Sequence, residues 1–297
     1  MKQKIQSRFI ALASITAVIL LVSGCTLLGI GTGTVNLSLT DAPVDASNVD
    51  GVYITVTGLE YNKSALTGDP GWTSFPDFVP MEEPVNLLAL TGGVTELLGS
   101  FELTAGQYNQ IRLTLEMAEE NCYIAFSDET TAPLSLPSNG AIDTEFKLVN
   151  AFTVPYGQTV NMIIDFDVRK GIVMNGTDYK LKPALRLIVE DQAGKIVATV
   201  DNTSDYSDLA VFAYDTGTYT ESEDDDPVIV EGSRFPNAVT SAVISSDGKY
   251  VLPYLAAGTY DLVVAGYNAD EFGEVLGRLD DVTVENEKVE TVTITLP

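Results

Sequence analysis

The chain has 297 residues, of which 42 are acidic and 16 are basic, so its formal net charge is −26. So few basic residues make nucleic acids and anionic lipid surfaces poor partners, because affinity for phosphate depends on lysine and arginine. The sequence contains no histidine, which excludes the commonest general base, the serine–histidine and cysteine–histidine pairs and most catalytic zinc sites.

The first 24 residues have the layout of a bacterial secretory signal. Three basic residues and no acidic one lie in residues 1–8, and the 14 residues 9–22 carry no charge. That length fits the core of a signal peptide, whereas a membrane-spanning helix needs about 20 residues. The stretch VSGC, residues 22–25, resembles the lipobox of bacterial lipoproteins. The resemblance implies cleavage before Cys25 and acylation of Cys25; an uncleaved amino-terminal membrane anchor is the alternative.

The lipid on Cys25 would hold the mature protein to the bacterial cell envelope. Buried acyl chain contributes about 0.8 kcal/mol per CH₂, and two or more chains anchor a protein stably. Thr26, and not an aspartate, follows the cysteine; by resemblance to Gram-negative sorting rules this implies the outer membrane. Residues 29–34, GIGTGT, are typical of a flexible tether. We therefore expect residues 25–34 to comprise the lipidated cysteine and its linker.

Alternating apolar and polar residues recur along the mature chain and predict β-strands. VNLSLT at residues 35–40 and IRLTLEM at residues 111–117 are clear cases, and glycine- and proline-rich turn signals separate such segments. Many short strands with such connections are typical of β-sandwiches. The sequence therefore predicts an all-β protein, with a signal peptide at residues 1–24 followed by two sandwich domains at residues 35–192 and 193–297.

The pattern Leu-x-Ala-Gly-x-Tyr occurs twice, as LTAGQY at residues 103–108 and as LAAGTY at residues 255–260. Each copy leads directly into an alternating segment. Glycine permits the positive φ of a tight turn, and the tyrosine hydroxyl can reach the backbone as in a tyrosine corner. The pattern predicts the same turn-and-strand arrangement in both domains.

Two resemblances support this division. Residues 33–188, with LTDAP, AGQYNQIRL, DFD and KPALR in order, resemble the bacterial domain of unknown function 4382, a family associated with lipoproteins and without an assigned activity. Residues 245–268 contain Asp247, Gly248 and Tyr250 ahead of LAAGTY and resemble the carboxypeptidase-regulatory, transthyretin-like sandwich. The second resemblance implies an immunoglobulin-like or transthyretin-like fold and a spacer or binding role without catalysis.

Asp165 and Asp167 are the carboxylates most suggestive of chemistry. They share one face of a predicted strand, with side chains about 7 Å apart by strand geometry, and such a pair could act as acid and base on a sugar. We favour the alternative, a solvated sheet face on which they pair with Arg169 or Arg186. Asp41 in LTDAP is expected to cap a turn.

The run of acidic residues at 221–226 is a weak candidate for Ca²⁺, which takes six to eight oxygen ligands. Its carboxylates lack the spacing and central glycine of an EF-hand loop, so a solvated acidic loop is the favoured interpretation. The acidic residues are Glu221, Glu223, Asp224, Asp225 and Asp226, of which the last three are the metal candidates.

Trp72, Phe75 and Phe78 form an aromatic cluster in a turn-rich segment. Exposed rings could stack on a glycan or fill a partner's pocket, but packing beneath a long loop is favoured. Cys122 has no partner if Cys25 is lipidated, and its apolar neighbours indicate a buried, inert thiol.

These observations predict a lipid-anchored binding or spacer module of the cell envelope that has no catalytic activity and needs no cofactor. The membrane is the expected partner through Cys25, with an envelope protein or a glycan as a further partner. The alternatives are a carbohydrate-active enzyme that uses Asp165 and Asp167, and a glycan-binding lipoprotein centred on Trp72.

Overall fold

A computed structural model describes residues 31–42, 49–66, 68–136, 144–175, 178–182, 184–201, 206–225, 233–268 and 271–296. The predicted signal peptide and three residues singled out above, Cys25, Thr26 and Asp226, lie outside the described residues. Within the described ranges no helix is long and apolar enough to cross a membrane.

The N-terminal unit, residues 31–189, is built almost entirely from β-strands, as the period-two alternation predicts. Among its described residues the one α-helix is a single turn, α1 (Val168–Gly171). The strands are β1 (Thr32–Ala42), β2 (Val49–Ile54), β3 (Val56–Asn62), β4 (Thr73–Ser74), β5 (Val85–Asn86), β6 (Glu96–Thr104), β7 (Gly106–Leu115), β8 (Tyr123–Phe126), β9 (Thr131–Ser135), β10 (Glu145–Val154), β11 (Thr159–Asp167), β12 (Ile172–Asn175), β13 (Asp178–Leu181) and β14 (Leu185–Val189).

The strands of the N-terminal unit form three sheets. Their orders are β14-β11-β1-β6, β10-β7-β3-β4 and β12-β13-β9-β8-β2-β5. Most neighbours are antiparallel, but β1 and β11 run parallel in unbroken register from Thr34↔Thr159 to Ala42↔Asp167. This parallel pair lies at the centre of its sheet, so the carboxyl ends of both strands reach the same edge of the unit.

The C-terminal unit, residues 193–296, is a second sandwich, joined to the first by a 3₁₀ turn at Glu190–Gln192. Its sheets have the orders β18-β15-β21 and β17-β16-β19-β20. A further 3₁₀ turn, Glu221–Glu223, follows β16. The strands are β15 (Ala193–Asp201), β16 (Asp208–Asp215), β17 (Thr240–Ile244), β18 (Lys249–Ala256), β19 (Gly258–Asn268), β20 (Glu271–Val284) and β21 (Val289–Thr295).

Each unit has its own hydrophobic core. Buried residues from Val35 to Val189 form one core, and buried residues from Ile196 to Leu296 form another between the two C-terminal sheets. A third, smaller cluster around Phe212 and Phe235 covers the outer face of β16 and β19. These two strands are therefore buried on both faces, which explains their nearly uninterrupted apolar sequences. The prediction of an all-β chain of sandwich type is confirmed.

The two tyrosines of the repeated pattern make the same hydrogen bond, one in each unit. The Tyr108 hydroxyl donates to the Thr104 carbonyl, and the Tyr260 hydroxyl donates to the Ala256 carbonyl, both at 2.8 Å. This confirms the predicted reach to the backbone. Gly106 has φ +141°, where an L-residue would be strained. Gly258 lies outside the left-handed region, so the positive φ that the pattern predicts holds only in the first copy.

Candidate functional site

Three aspartates come together where the parallel strands β1 and β11 end. Asp41 lies on β1, and Asp165 and Asp167 lie on β11; their exposed fractions are only 3%, 3% and 4%. Asp41 Oδ1 accepts from the backbone N–H of Val168 at 3.1 Å, at the start of α1. Asp41 therefore contributes to capping α1, whereas residues 43–48, which would form the local turn predicted for LTDAP, lie outside the described residues. The expected solvated face for Asp165 and Asp167 is wrong, because other side chains cover both carboxylates.

Asp165 is covered by its cross-strand neighbour on β14. The register pairs Asp165 with Arg186, whose Nε and Nη2 both donate to Asp165 Oδ2, with Nε at 2.9 Å. Burial raises the pKa of Asp165, and the Arg186 guanidinium opposes that shift. The carboxylate therefore depends mainly on one arginine to offset the loss of its hydration. The predicted pairing with Arg186 is confirmed.

Asp167 caps α1 and pairs with Arg169. Its Oδ1 accepts from the Lys170 backbone N–H at 3.2 Å, and its Oδ2 lies 3.3 Å from Arg169 Nη2 and 3.4 Å from Lys170 Nζ. The Arg169 side chain is itself only 2% exposed. Buried arginines need several acceptors, and the three that Arg169 has besides Asp167 lie in the other unit.

The guanidinium of Arg169 extends from the N-terminal unit into a socket of backbone carbonyls in the C-terminal unit. It donates to the carbonyls of Arg234 at 3.1 Å, Phe235 at 2.6 Å and Ala238 at 3.4 Å. It also lies 5.5 Å from the centroid of the Phe212 ring. We call Arg169 with the loop of residues 233–239 the arginine junction. It is the most completely buried polar contact between the two units in the described part of the chain.

Glu223 holds the socket loop in shape. Its carboxylate accepts from the Tyr214 hydroxyl at 2.9 Å, the Asn237 backbone N–H at 3.1 Å and the Asn237 side-chain amide at 3.0 Å. Its own carbonyl accepts from the backbone N–H of Phe235 at 3.0 Å. Glu223 is only 6% exposed, so the predicted solvated acidic loop is wrong at this residue. The reason is that three donors replace the water that the carboxylate gives up.

Two aromatic residues at the contact between the units have left-handed backbone conformations. Phe235 has φ 56° and Tyr254 has φ 55°, which is costly for bulky residues and persists only where surrounding contacts fix it. Phe235 stacks on Phe212 with centroids 4.1 Å apart. The Tyr254 hydroxyl donates to the Gly93 carbonyl of the N-terminal unit at 3.1 Å. Both strained positions therefore serve the docking of one unit on the other.

An open groove of about 540 Å³ runs beside this contact. Residues 92–93 and 159–161 line it from the N-terminal unit, the turn at residues 190–191 closes one side, and Tyr254 and residues 287–289 line it from the C-terminal unit. Its rim carries charges of both signs. Neither Asp165 nor Asp167 lines this groove, so the predicted acid–base pair does not face it.

The predicted aromatic cluster separates into two parts. Phe75 is buried and packs on Tyr61 and Phe101, with ring centroids 5.2 and 4.8 Å away. Phe78 is half-buried and lies 6.4 Å from Phe101. The favoured packing beneath a loop is confirmed for these two rings. Trp72 instead lies half-buried on the outer face of the β10-β7-β3-β4 sheet.

The metal candidates find no support in the described residues. Asp224 and Asp225 are described, and no group of three or more potential metal-ligating side chains occurs in that part of the chain. Asp226 lies outside it. Cys122 is buried and free, and burial raises the pKa of its thiol to about 12. A thiol with that pKa is almost entirely protonated at neutral pH, as the interpretation of an inert cysteine requires.

The sequence patterns give no indication of the socket loop. Residues 233–239 read SRFPNAV, which contains a proline turn signal and no motif for binding arginine. The acceptors are backbone carbonyls, so no side-chain pattern could have revealed them. Arg169 was identified only as a possible neighbour of Asp165 and Asp167, and its contacts with the second unit were not predicted.

Comparisons with solved structures return remote likenesses to bacterial proteins, among them two pilins. The Bacillus anthracis TIE protein is 12% identical, with 89% of this chain and 34% of that chain covered and a TM-score of 0.19. This chain thus spans about a third of its length. GBS52, the minor pilin of Streptococcus agalactiae, is 15% identical over 88% and 94%, with a TM-score of 0.21. The shaft pilin SpaA of Lactobacillus rhamnosus GG is 12% identical over 89% and 98%, with a TM-score of 0.23.

No curated protein matches the sequence. The profile of one family, described as Domain of unknown function (DUF4382), matches residues 32–183. The matched region begins at β1 and ends beyond α1, so it includes Asp41, Asp165, Asp167 and Arg169. It confirms the resemblance expected over residues 33–188 as far as residue 183. Because the match covers just over half of the chain, the protein belongs to the DUF4382 family.

Proposed function

We propose that this protein is a lipid-anchored, non-catalytic module of the bacterial cell envelope, in which two docked sandwiches form one rigid spacer. The observation that carries the proposal is the state of Asp165 and Asp167. Both carboxylates are buried and neutralised by arginines. A glycosidase needs two carboxyl groups that reach the scissile bond of a sugar, and these two are occupied and covered.

The arginine junction supports the spacer role. A guanidinium that donates to three carbonyls of another unit fixes the relative orientation of both units more tightly than an exposed ion pair does. Tyr254 adds a second contact through Gly93. Interfaces between domains of one chain are often small and mobile, and a junction with buried polar contacts resists that motion.

We further propose that the C-terminal unit is a carboxypeptidase-regulatory-like sandwich. Gly248 has φ +80° in the turn between β17 and β18, and Tyr250 is buried in the core. Asp247 accepts hydrogen bonds from Lys249 and, with a smaller effect, from Ser245, and these lower the pKa of Asp247 to about 2. These features match the residues on which that resemblance rests, and they support a structural role for the motif.

The anchor is tested by fractionating cells that express Cys25→Ser. The variant should lose its acyl chains and move from the membrane fraction to the soluble fraction, because those chains supply the membrane affinity. Cys122→Ala is the matched control and should stay with the membrane. Mass spectrometry of the wild-type protein should show a lipid-modified amino terminus at residue 25. Wild-type protein that retains Met1, or a Cys25→Ser variant that stays membrane-bound, would contradict the anchor.

The absence of catalysis is tested with a panel of chromogenic glycosides. The wild-type protein should release no more product than buffer, because water and substrate do not reach the buried carboxylates. Hydrolysis that persists in Asp247→Asn, whose carboxylate is exposed, and disappears in Asp165→Asn would overturn this part of the proposal.

A further inference from the structure

The outer face of the β10-β7-β3-β4 sheet carries a charged network beneath a single aromatic ring. Arg112 on β7 is its centre. Its Nε donates to Glu60 on β3 at 2.8 Å, and its Nη1 donates to Glu145 on β10 at 2.6 Å. Lys147 is the direct cross-strand neighbour of Arg112. These side chains hold two positive and two negative charges, so the local charge sums to zero in a strongly acidic protein.

Trp72 lies over this network. The ring centroid is 4.6 Å from the Arg112 guanidinium carbon and 5.9 Å from Lys147 Nζ. Cross-strand neighbours at the same register project from the same face of a sheet, so both cations rise from the sheet face on which Trp72 lies. Trp72 is half-buried, so part of its side chain is accessible to solvent.

The loop that carries Trp72 is held in place by side chains of the sheet. The Asn62 amide donates to the Asp69 carbonyl at 3.2 Å, and the Gln110 amide donates to the carbonyls of Ser64 and Leu66 at 2.7 and 3.1 Å. The backbone N–H of Trp72 donates to the Pro70 carbonyl at 2.8 Å. The loop backbone that carries Trp72 is therefore ordered before any ligand arrives, which reduces the entropy lost on binding.

We propose that Trp72, Arg112, Lys147, Glu60 and Glu145, the Trp72 platform, bind a pyranose ring of a neutral polysaccharide. The accessible part of the indole offers a negative π surface to the weakly positive C–H groups of a sugar. The surrounding charged groups can exchange hydrogen bonds with its hydroxyls. Balanced charges favour a neutral, polyhydroxylated ligand over an ionic polymer, and the charged surroundings of the ring disfavour an apolar protein surface. This inference goes beyond the proposed anchor and spacer and does not depend on either.

Trp72 is the single tryptophan of the chain, so intrinsic tryptophan fluorescence reports on this site alone. The full mature protein in detergent is titrated with chitohexaose, cellohexaose, laminarihexaose and maltohexaose at millimolar concentrations. At least one of these should change the Trp72 emission saturably. Affinity electrophoresis through gels that contain the matching soluble polysaccharide should show retardation.

Variants separate this site from other aromatic surfaces. Trp72→Ala should weaken retardation by at least about tenfold, as expected for an aromatic side chain that dominates a binding site. Tyr156→Ala is the matched control, because this ring is 74% exposed and lies in the turn after β10, outside the platform; it should bind normally. Circular dichroism verifies that both variants fold.

Three results would overturn the proposal. One is the absence of a saturable emission change and of retardation with all four sugars. Another is retardation that survives in Trp72→Ala. The third is binding to a charged polymer alone, such as polygalacturonate, that disappears at high salt, because that pattern indicates ionic attraction. Loss of the lipid anchor would change none of these readouts.

Discussion

Replacing Arg169 by alanine is expected to lower the free energy of unfolding by about 3–5 kcal/mol, as is typical when one partner of a buried charge network is removed. The substitution removes the buried ion pair that Arg169 makes with Asp167. It also removes the donor for three carbonyls of the socket loop, residues 233–239. The Phe235 and Ala238 carbonyls then lose a buried donor, and separation of the units would let water replace it. Differential scanning calorimetry of the mature protein should therefore resolve one transition in the wild type and two in Arg169→Ala.

Two further variants show whether charge or shape matters at the arginine junction. Arg169→Lys keeps the positive charge opposite Asp167, but its compact ammonium cannot reproduce the planar fork of donors, so its loss of stability should be intermediate. Lys249→Ala is the control: it removes an exposed partner of Asp247 and should leave the calorimetric transition unchanged. An Arg169→Ala protein that melts in a single transition at the wild-type temperature would disprove the proposed role of the junction.

Features that depend on neighbouring residues could be predicted from the sequence. Strand alternation follows from which face of a strand meets the core, and a tyrosine four residues after an acceptor carbonyl reaches it through the local turn. Tyr108 and Tyr260 show this in both units. For Asp41 the local sequence predicts a cap on its own turn, but the backbone N–H that donates to its carboxylate belongs to Val168 at the start of α1.

Features that depend on sequence-distant partners could not be predicted in the same way. The alternation of β11 correctly predicts that Asp165 and Asp167 lie on the same face of the strand. The burial of that face depends on Arg186 from β14 and on the contacts of Arg169 with the second unit. The Trp72 ring differs from Phe75 and Phe78 only because the outer face of the sheet presents Arg112 beneath it. The acidic composition of residues 221–226 predicts that Glu223 is solvated. Its burial depends on hydrogen bonds from Tyr214 and Asn237, which lie outside that run.

The second large effect is expected for Glu223→Gln, which should lower the free energy of unfolding by about 2 kcal/mol. The carboxylate accepts three hydrogen bonds, whereas the amide that replaces it brings two donors into a site that already contains three. One donor is thus left facing another in a buried site. The socket loop loses its support, so the units should again melt separately in calorimetry.

The neighbouring Asp225→Asn is the matched control, because it removes a carboxylate from the same acidic run at an exposed position and should change nothing. A double-mutant cycle tests whether Glu223 and Arg169 act on one structure. If Glu223 serves only to shape the socket, the losses in the double variant should be less than additive, because each substitution alone already undocks the units. Additive losses would show that Glu223 stabilises the C-terminal unit independently of Arg169.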